Sequence, residues 1–245
     1  MHNISFVHNC LFFDIETVRK YKSFEELKDN EPQIAEIWLD KCQHNENYKN
    51  EPELMYEKYA SLYPEYSKIV CISYGYYDSV TSKWKIEHLN DEQITEKELL
   101  FEFGKLCNTK FHKSILAGYN IRRFDIPFVY RRMLVNNILP PTQFDSSEKK
   151  PWEIINLDLY KVWSDYNTLN GMSNFDLICH IMGVPSPKQG EVKGDSVGEY
   201  YYNGKIQEIT EYCKKDVQAS IKLALSLSTE KLEEPTWNSI YRGRI

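Results

Sequence analysis

The chain alternates between short apolar runs and polar stretches in a way that predicts a sheet carrying helices. The run Leu11, Phe12, Phe13 in "LFFDIET" suits a buried strand, predicted over about Cys10 to Ile15. "KIVCISYGYYD" (68–78), dense in β-branched and aromatic residues, predicts a second strand, and the alternating "KWKIEHLN" (83–90) a third. These three are expected to form an antiparallel set. Between the first two lies a polar segment, 19–66, rich in Glu, Lys and Asn. It is expected to be partly helical, because Leu54, Tyr59 and Leu62 recur at helical spacing.

The rest of the chain reads as alternating helix and strand. In "TEKELLFEFGKLCN" (95–108) Thr95 stands three residues before Glu98, a capping box ahead of an apolar helical stripe. "KSILAGYN" (113–120) predicts a strand, "DIPFVYRRMLVNN" (125–137) a helix, and "WEIINLDLYKVW" (152–163) a fifth strand turning into helix. "MSNFDLICHIMG" (172–183) predicts an amphipathic helix closed by Gly183, and a Pro/Lys/Gly loop (184–195) leads to a long helix over 204–227. Three strands followed by alternating helix and strand predict an α/β fold, a mixed β-sheet flanked by helices. With no repeat or low-complexity linker, residues 1–245 are expected to form one domain.

Composition narrows the class without naming a chemistry. Hydrophobic residues are 42% and charged residues 27% of the 245, ordinary for a globular protein with a core. No apolar stretch approaches the length of a membrane span, and "MHNISFVHNC" lacks the basic start and apolar centre of a secretory signal. The six cysteines form no C-x-x-C pair. They are expected to be free thiols in a reducing compartment, so a cytoplasmic location is expected and a cysteine zinc site is not. The net charge of −6 does not advertise nucleic-acid binding. It does not exclude it either, since metal-binding carboxylates carry charge that a bound cation cancels locally.

Three spacings carry candidate chemistry. Asp14 and Glu16 are i and i+2 on a predicted strand, so they share a face, and two adjacent buried acids are costly unless something neutralises them. Taken alone, D-x-E also fits a helix cap or an exposed turn. In "GYNIRRFDIPFVYRRML" (118–134) a strand ends near Asn120, and Asp125 opens a helix with Pro127 in its first turn. Asp125 is also accounted for by the positive helix end alone. In "EYCKKDV" (211–217) Tyr212 and Asp216 lie one helical turn apart, which also fits a surface hydrogen-bonded pair.

Together and in this order, "FDIET", "N-x-x-x-F-D-I-P" and "Y-x-x-x-D" resemble the three motifs of the DEDD 3′→5′ exonucleases. This is the ribonuclease-H-like superfamily that includes polymerase proofreading domains. The resemblance is greatest to stand-alone exonucleases related to the proofreading domain of family B DNA polymerases. It runs from about residue 9 to 228, with 19–66 the least family-like part. It implies a ribonuclease-H-like sheet of three antiparallel strands followed by parallel ones.

The resemblance also implies a site. Asp14, Glu16, Asp125 and Asp216 would be the catalytic, metal-holding acids for two divalent cations, Mg²⁺ or Mn²⁺, in a two-metal-ion mechanism. Asp14 would bridge the ions, Glu16 and Asp216 would complete one shell, and Asp125 would help hold the other. Glu211 stands where histidine-type members have His, so Tyr212 marks the tyrosine subtype and would orient the attacking water. Asn120 and the Thr17 backbone would contact the terminal nucleotide. Phe124 would lie beside its base or sugar, although plain core packing suits Phe124 better. Lys188, Lys193, Lys214 and Lys215 are candidates for phosphate contact, against the simpler reading of solvated surface lysines.

The substrate expected is single-stranded or frayed DNA 3′ ends, with nucleoside 5′-monophosphates released and any service to a polymerase or repair machinery given in trans. Trimming of RNA ends and a catalytically inactive end-binding module are the alternatives. The presence of all four acids and the tyrosine weighs against the second.

Overall fold

The computed structural model describes residues 6–46, 48–150, 153–164, 174–186, 192–228 and 237–239. At its centre β1 (Cys10–Arg19) pairs antiparallel with β2 (Ser67–Asp78), which pairs antiparallel with β3 (Lys83–Asn90). On the other side of β1, β4 (Ile115–Gly118) and then β5 (Asn156–Asp158) run parallel. A short β6 (Trp237–Ser239) runs parallel beside β3, giving the order β5-β4-β1-β2-β3-β6. The mixed sheet and its strand directions match the expectation. Trp152, residues 172–173 and Lys188 lie outside the described residues.

Helices cover both faces, which is why β1 opens as an unbroken apolar run. Leu11, Phe13 and Ile15 point to one face and pack with Leu100 and Phe103 of α4 (Glu96–Asn108) and Val129 and Met133 of α5 (Asp125–Val135). Cys10 and Phe12 point to the other face, against Val217 and Ile221 of α9 (Ile206–Leu227). Phe12 and Phe13 are both fully buried, each worth roughly 1.5–3 kcal/mol of transfer free energy. Gly75 on β2 lets α9 come this close, because a Cβ there would meet Ile221 Cδ1 at 2.6 Å and Val217 Cγ1 at 2.9 Å. The Thr95–Glu98 capping box opens α4 as predicted.

Two expectations need correction. Strand β1 does not end at Ile15. Its pairing with β2 continues to Arg19, with a bulge at Val70 of β2 beside Glu16. Both acids therefore lie within the strand, and the bulge falls where such irregularities re-aim a strand next to a site. In the polar segment, α1 (Phe24–Asn30), α2 (Pro32–Gln43) and α3 (Pro52–Tyr59) form a small core of their own. Its inward residues are Met55, Tyr56 and Ala60, whereas Leu54 and Leu62 are more than half exposed. The register is set by Trp38, whose indole packs edge-on to Tyr56 and donates to Pro52 O at 2.9 Å. That contact crosses between helices and leaves no trace in local periodicity.

Three shorter helices complete the described chain: α6 (Leu159–Ser164), α7 (Phe175–Ile181) and α8 (Val197–Tyr202). Gly204, with φ +74°, separates α8 from α9, so the expected single helix over 204–227 begins at Ile206. All six cysteines are free and buried. Among the described residues no helix is long and apolar enough to cross a membrane.

Candidate active site

The candidate site lies where β4 stops short. β4 pairs with β1 only from Cys10 to Phe12, so beyond Phe13 that edge of β1 has no strand partner among the described residues. The chain fills the gap with a side chain: Ile15 N donates to Asp125 Oδ1 at 3.2 Å. Asp125 is the first residue of α5, and this bond ties the helix start to the strand that carries the other two acids.

Asp14 and Glu16 point to the α9 face, opposite Ser73 and Cys71 of β2, whose small side chains leave them room. From α9, Cys213 donates its thiol toward Asp14 Oδ2 and Asp14 O, both at 3.4 Å. Ligand atoms of Asp14, Glu16 and Cys213 lie within 4.8 Å of one another. Asp216 stands one turn along the same helix, acts electrostatically on Asp14, Glu16 and Asp125, and hydrogen-bonds Tyr212. The structure thus brings together Asp14, Glu16, Asp125, Tyr212 and Asp216 from three distant parts of the chain.

This collection of acids is electrostatically expensive. Glu16 is 8% exposed and Asp125 4%, and among the described residues no cationic side chain pairs with Asp14, Glu16 or Asp125. Burial, then the charges of Asp216, Asp125 and Glu16, hold the Asp14 carboxyl well above the usual range. Burial followed by Asp216 does the same to Glu16. Burial raises Asp125 to about 7, against the opposing pull of the amides of Ile15 and of Asp125 itself. Burial first, and then the acids around it, push the Tyr212 hydroxyl far up. The hydroxyl therefore keeps its proton and is not a base.

Carboxylate oxygens are hard donors, so a group of acids with raised proton affinity could hold a divalent cation. Cys213 is the one soft donor in the group: burial first of all raises its thiol, which donates to Asp14.

The remaining expected residues are placed as follows. Asn120 sits in the left-handed region at φ +59°, in the loop between β4 and α5, and its Oδ1 is buried without a partner. Phe124, just before Asp125, is half-buried with its ring 5.1 Å from Phe128, so it packs on the core beside the cleft. Thr17 follows Glu16, and its hydroxyl donates to Ser61 O at 2.8 Å, which joins the site to the end of the polar segment. Of the candidate phosphate contacts, Lys214 is paired with Glu211 at 2.6 Å.

Two residues with a part in the site carry no local sequence signal. Cys213 is one. Asp158, at the end of β5, is the other: it is buried and accepts from the amides of Asn120 (3.0 Å), Arg122 (3.1 Å) and Tyr160 (3.0 Å). It therefore fixes the 119–124 loop that delivers Asn120 and Asp125. Its partners in that loop lie 36 and 38 residues away, beyond any spacing rule.

The fold and sequence agree with known proteins. The structure resembles the family B DNA polymerase of the hyperthermophilic archaeon Pyrobaculum calidifontis, with a TM-score of 0.57 and 17% sequence identity over 89% of this chain. At that identity the likeness is one of fold, and the chain spans 24% of the polymerase's length. No curated protein matches the chain. Residues 60–239 match the family described as "Predicted 3'-5' exonuclease related to the exonuclease domain of PolB". That match includes Asp125, Tyr212 and Asp216 and begins after β1. The chain belongs to this family of predicted 3′→5′ exonucleases related to the exonuclease domain of PolB.

Proposed function

We propose that this chain is one exonuclease domain of the tyrosine subtype, a metal-dependent enzyme that removes nucleoside 5′-monophosphates from the 3′ ends of single-stranded or frayed DNA. The observation that carries the reading is the meeting of Asp14, Glu16, Asp125 and Asp216 in one place, with no cationic partner for Asp14, Glu16 or Asp125 among the described residues and with Tyr212 bonded to Asp216. Activity would be exerted in trans on ends left by polymerase or repair machinery.

The four carboxylates would hold two divalent cations, Mg²⁺ or Mn²⁺, which when bound supply the Lewis acidity and positive charge that phosphodiester hydrolysis requires. The chain's own groups do the positioning. Asp125, pinned to Ile15 N, and Asp14, pinned through Cys213, present their oxygens from fixed backbone. Asn120 and the Thr17 backbone line the place for the terminal nucleotide. Tyr212 keeps its proton and orients a water in line with the P–O3′ bond. Water would add to phosphorus and lose one proton to solvent, the P–O3′ bond would break, and the departing 3′-oxygen would take up one proton from solvent to leave as a hydroxyl.

Tyr212→Phe keeps the ring and removes the hydroxyl. It is expected to lower kcat about ten- to a hundred-fold, the loss of one positioning bond worth about 1–3 kcal/mol, with little change in KM. Single-turnover rates at saturating Mn²⁺ measure this, and a variant as fast as the wild type would make the tyrosine structural.

Substrate form tests the reading as a whole. Entry of a terminal nucleotide into the cleft requires it to be unpaired, which costs a matched duplex a few kcal/mol. With Mg²⁺, single-stranded DNA and mismatched 3′ ends should be digested faster than blunt duplex, and EDTA should stop all of it. Faster digestion of RNA than of DNA would move the substrate assignment to RNA. Tight end binding without any digestion would make the chain a binding module.

A further inference from the structure

Three of the arginines in the described chain are held by internal partners. Arg19 donates to Lys22 O at 2.8 Å and Glu57 O at 3.2 Å, and Arg132 is held by Glu96 at 2.6 Å. Arg122, in the loop that precedes Asp125, donates to Asn156 Oδ1 and, at 2.8 Å, to Ile154 O. Its neighbour Arg123 differs. The Arg123 side chain is exposed and makes no hydrogen bond, ion pair or ring contact among the described residues.

A loose surface arginine is ordinary, but this one is carried on a rigid support. Its backbone N donates to Asn120 O at 3.2 Å. The amides of Asn120 and Arg122 on either side of the turn are bound by buried Asp158. Phe124, next in the chain, packs on Phe128, and Asp125 follows. The same turn contains the buried, unpartnered Oδ1 of Asn120. A fixed loop thus carries, among the described residues, an unsatisfied acceptor and an unpaired guanidinium just ahead of Asp125. Guanidinium is the side chain best shaped to take two oxygens of a phosphate.

We infer that Arg123 binds the substrate strand at the first phosphodiester on the 5′ side of the scissile one. The inference rests on the exonuclease reading above and extends it to a residue outside the acid cluster. The scissile phosphate belongs over the four acids. Arg123 and Asp125 are two positions apart, a span of at most about 7 Å, and the arginine stem adds a comparable reach. That length brings the guanidinium to the neighbouring phosphate. Arg123 is accordingly a positioning residue, which holds the strand in register while the acids act on the end.

The test is binding of a fluorescent single-stranded DNA in Mg²⁺, its terminal linkage protected from hydrolysis as a phosphorothioate, across a range of salt concentrations. Arg123→Ala is expected to weaken binding about five- to ten-fold and to reduce the salt slope by about 0.7, the value for one phosphate contact on a single strand. Arg123→Lys should keep the slope and part of the affinity. Lys83→Ala removes an exposed cation at the far end of the sheet and should change neither. A neutral methylphosphonate at the linkage next to the scissile one should weaken wild-type binding and cost Arg123→Ala nothing more. On an unprotected strand, Arg123→Ala should raise KM and leave kcat within about two-fold.

Equal affinity and slope in wild type and Arg123→Ala would overturn the inference. So would a methylphosphonate penalty that is the same in both. A wild-type protein that binds the strand but never hydrolyses it overturns the exonuclease reading, and the binding series still decides Arg123. A wild-type protein that binds no strand overturns both.

Discussion

Asp14→Asn is expected to reduce hydrolysis at least about 10³-fold, a loss of about 4 kcal/mol of transition-state stabilisation, while leaving a folded and more heat-stable protein. Both halves follow from its position. Asp14 feels all three of the other acids: Asp216, Asp125 and Glu16 each raise its carboxyl, after burial. Neutralising it weakens the centre expected to hold the cations, and it also removes one of four crowded like charges. The backbone contact survives, since Cys213 also donates to Asp14 O. Without divalent cation at pH 8 the variant should therefore melt above the wild type, and Mg²⁺ should raise its Tm less. Melting curves with and without Mg²⁺, alongside rates, check both parts. A variant that is inactive because it is unfolded would show neither the raised Tm nor a cooperative transition.

Stability of the cation-free protein is expected to fall as pH rises, opposite to the usual behaviour of salt-bridged acids. Asp125 has a folded value of about 7 against an ordinary 3.8, so the folded state holds a proton that the unfolded chain has released. Its contribution is fully present below about pH 4 and is lost as pH rises through 7. Asp14 and Glu16 are shifted the same way. Between pH 5.5 and 8 Asp125 alone amounts to about 2 kcal/mol, or roughly 4–8 °C in Tm for a chain of this size. Divalent cations favour the ionised forms and should flatten or reverse the slope. Thermal melts in EDTA and in Mg²⁺ at the two pH values measure it. A cation-free Tm that rises from pH 5.5 to 8 would contradict the buried-acid picture.

Much of this was legible in the residues because local patterns carried it. The alternation of 83–90 placed β3, Thr95 and Glu98 placed the start of α4, and the i, i+2 spacing put Asp14 and Glu16 on one face. Where the account went astray, a contact between distant segments decided the outcome. Pairing with β2 through the Val70 bulge carries β1 on to Arg19, although apolar patterning fades after Ile15. Trp38 turns Met55 and Tyr56 inward in place of Leu54. Within the site, the motif residues were visible and their supports were not. Asp158 reads as the end of a strand, and its hold on the Asn120 loop exists only once β5 lies beside β4. Cys213 reads as one more apolar position on α9 until the helix crosses β1 and sets it on Asp14.

The polar segment shows the same division. The family match begins at residue 60, near the end of that segment. The segment's attachment to the strand directly after Glu16 runs through Thr17 Oγ1 to Ser61 O, Arg19 Nη1 to Glu57 O and Lys20 N to Tyr66 O.

The most direct test of the central claim is a time course on a 5′-labelled single-stranded DNA, comparing wild type with Asp14→Asn and Asp216→Asn in Mg²⁺ and in EDTA. The account predicts a descending ladder of products shortened one nucleotide at a time from the 3′ end by the wild type in Mg²⁺, mononucleotide 5′-phosphates as the released product, and an undigested strand in the other lanes. Internal cleavage, shortening from the 5′ end, or a ladder that persists in EDTA or in both variants would contradict it.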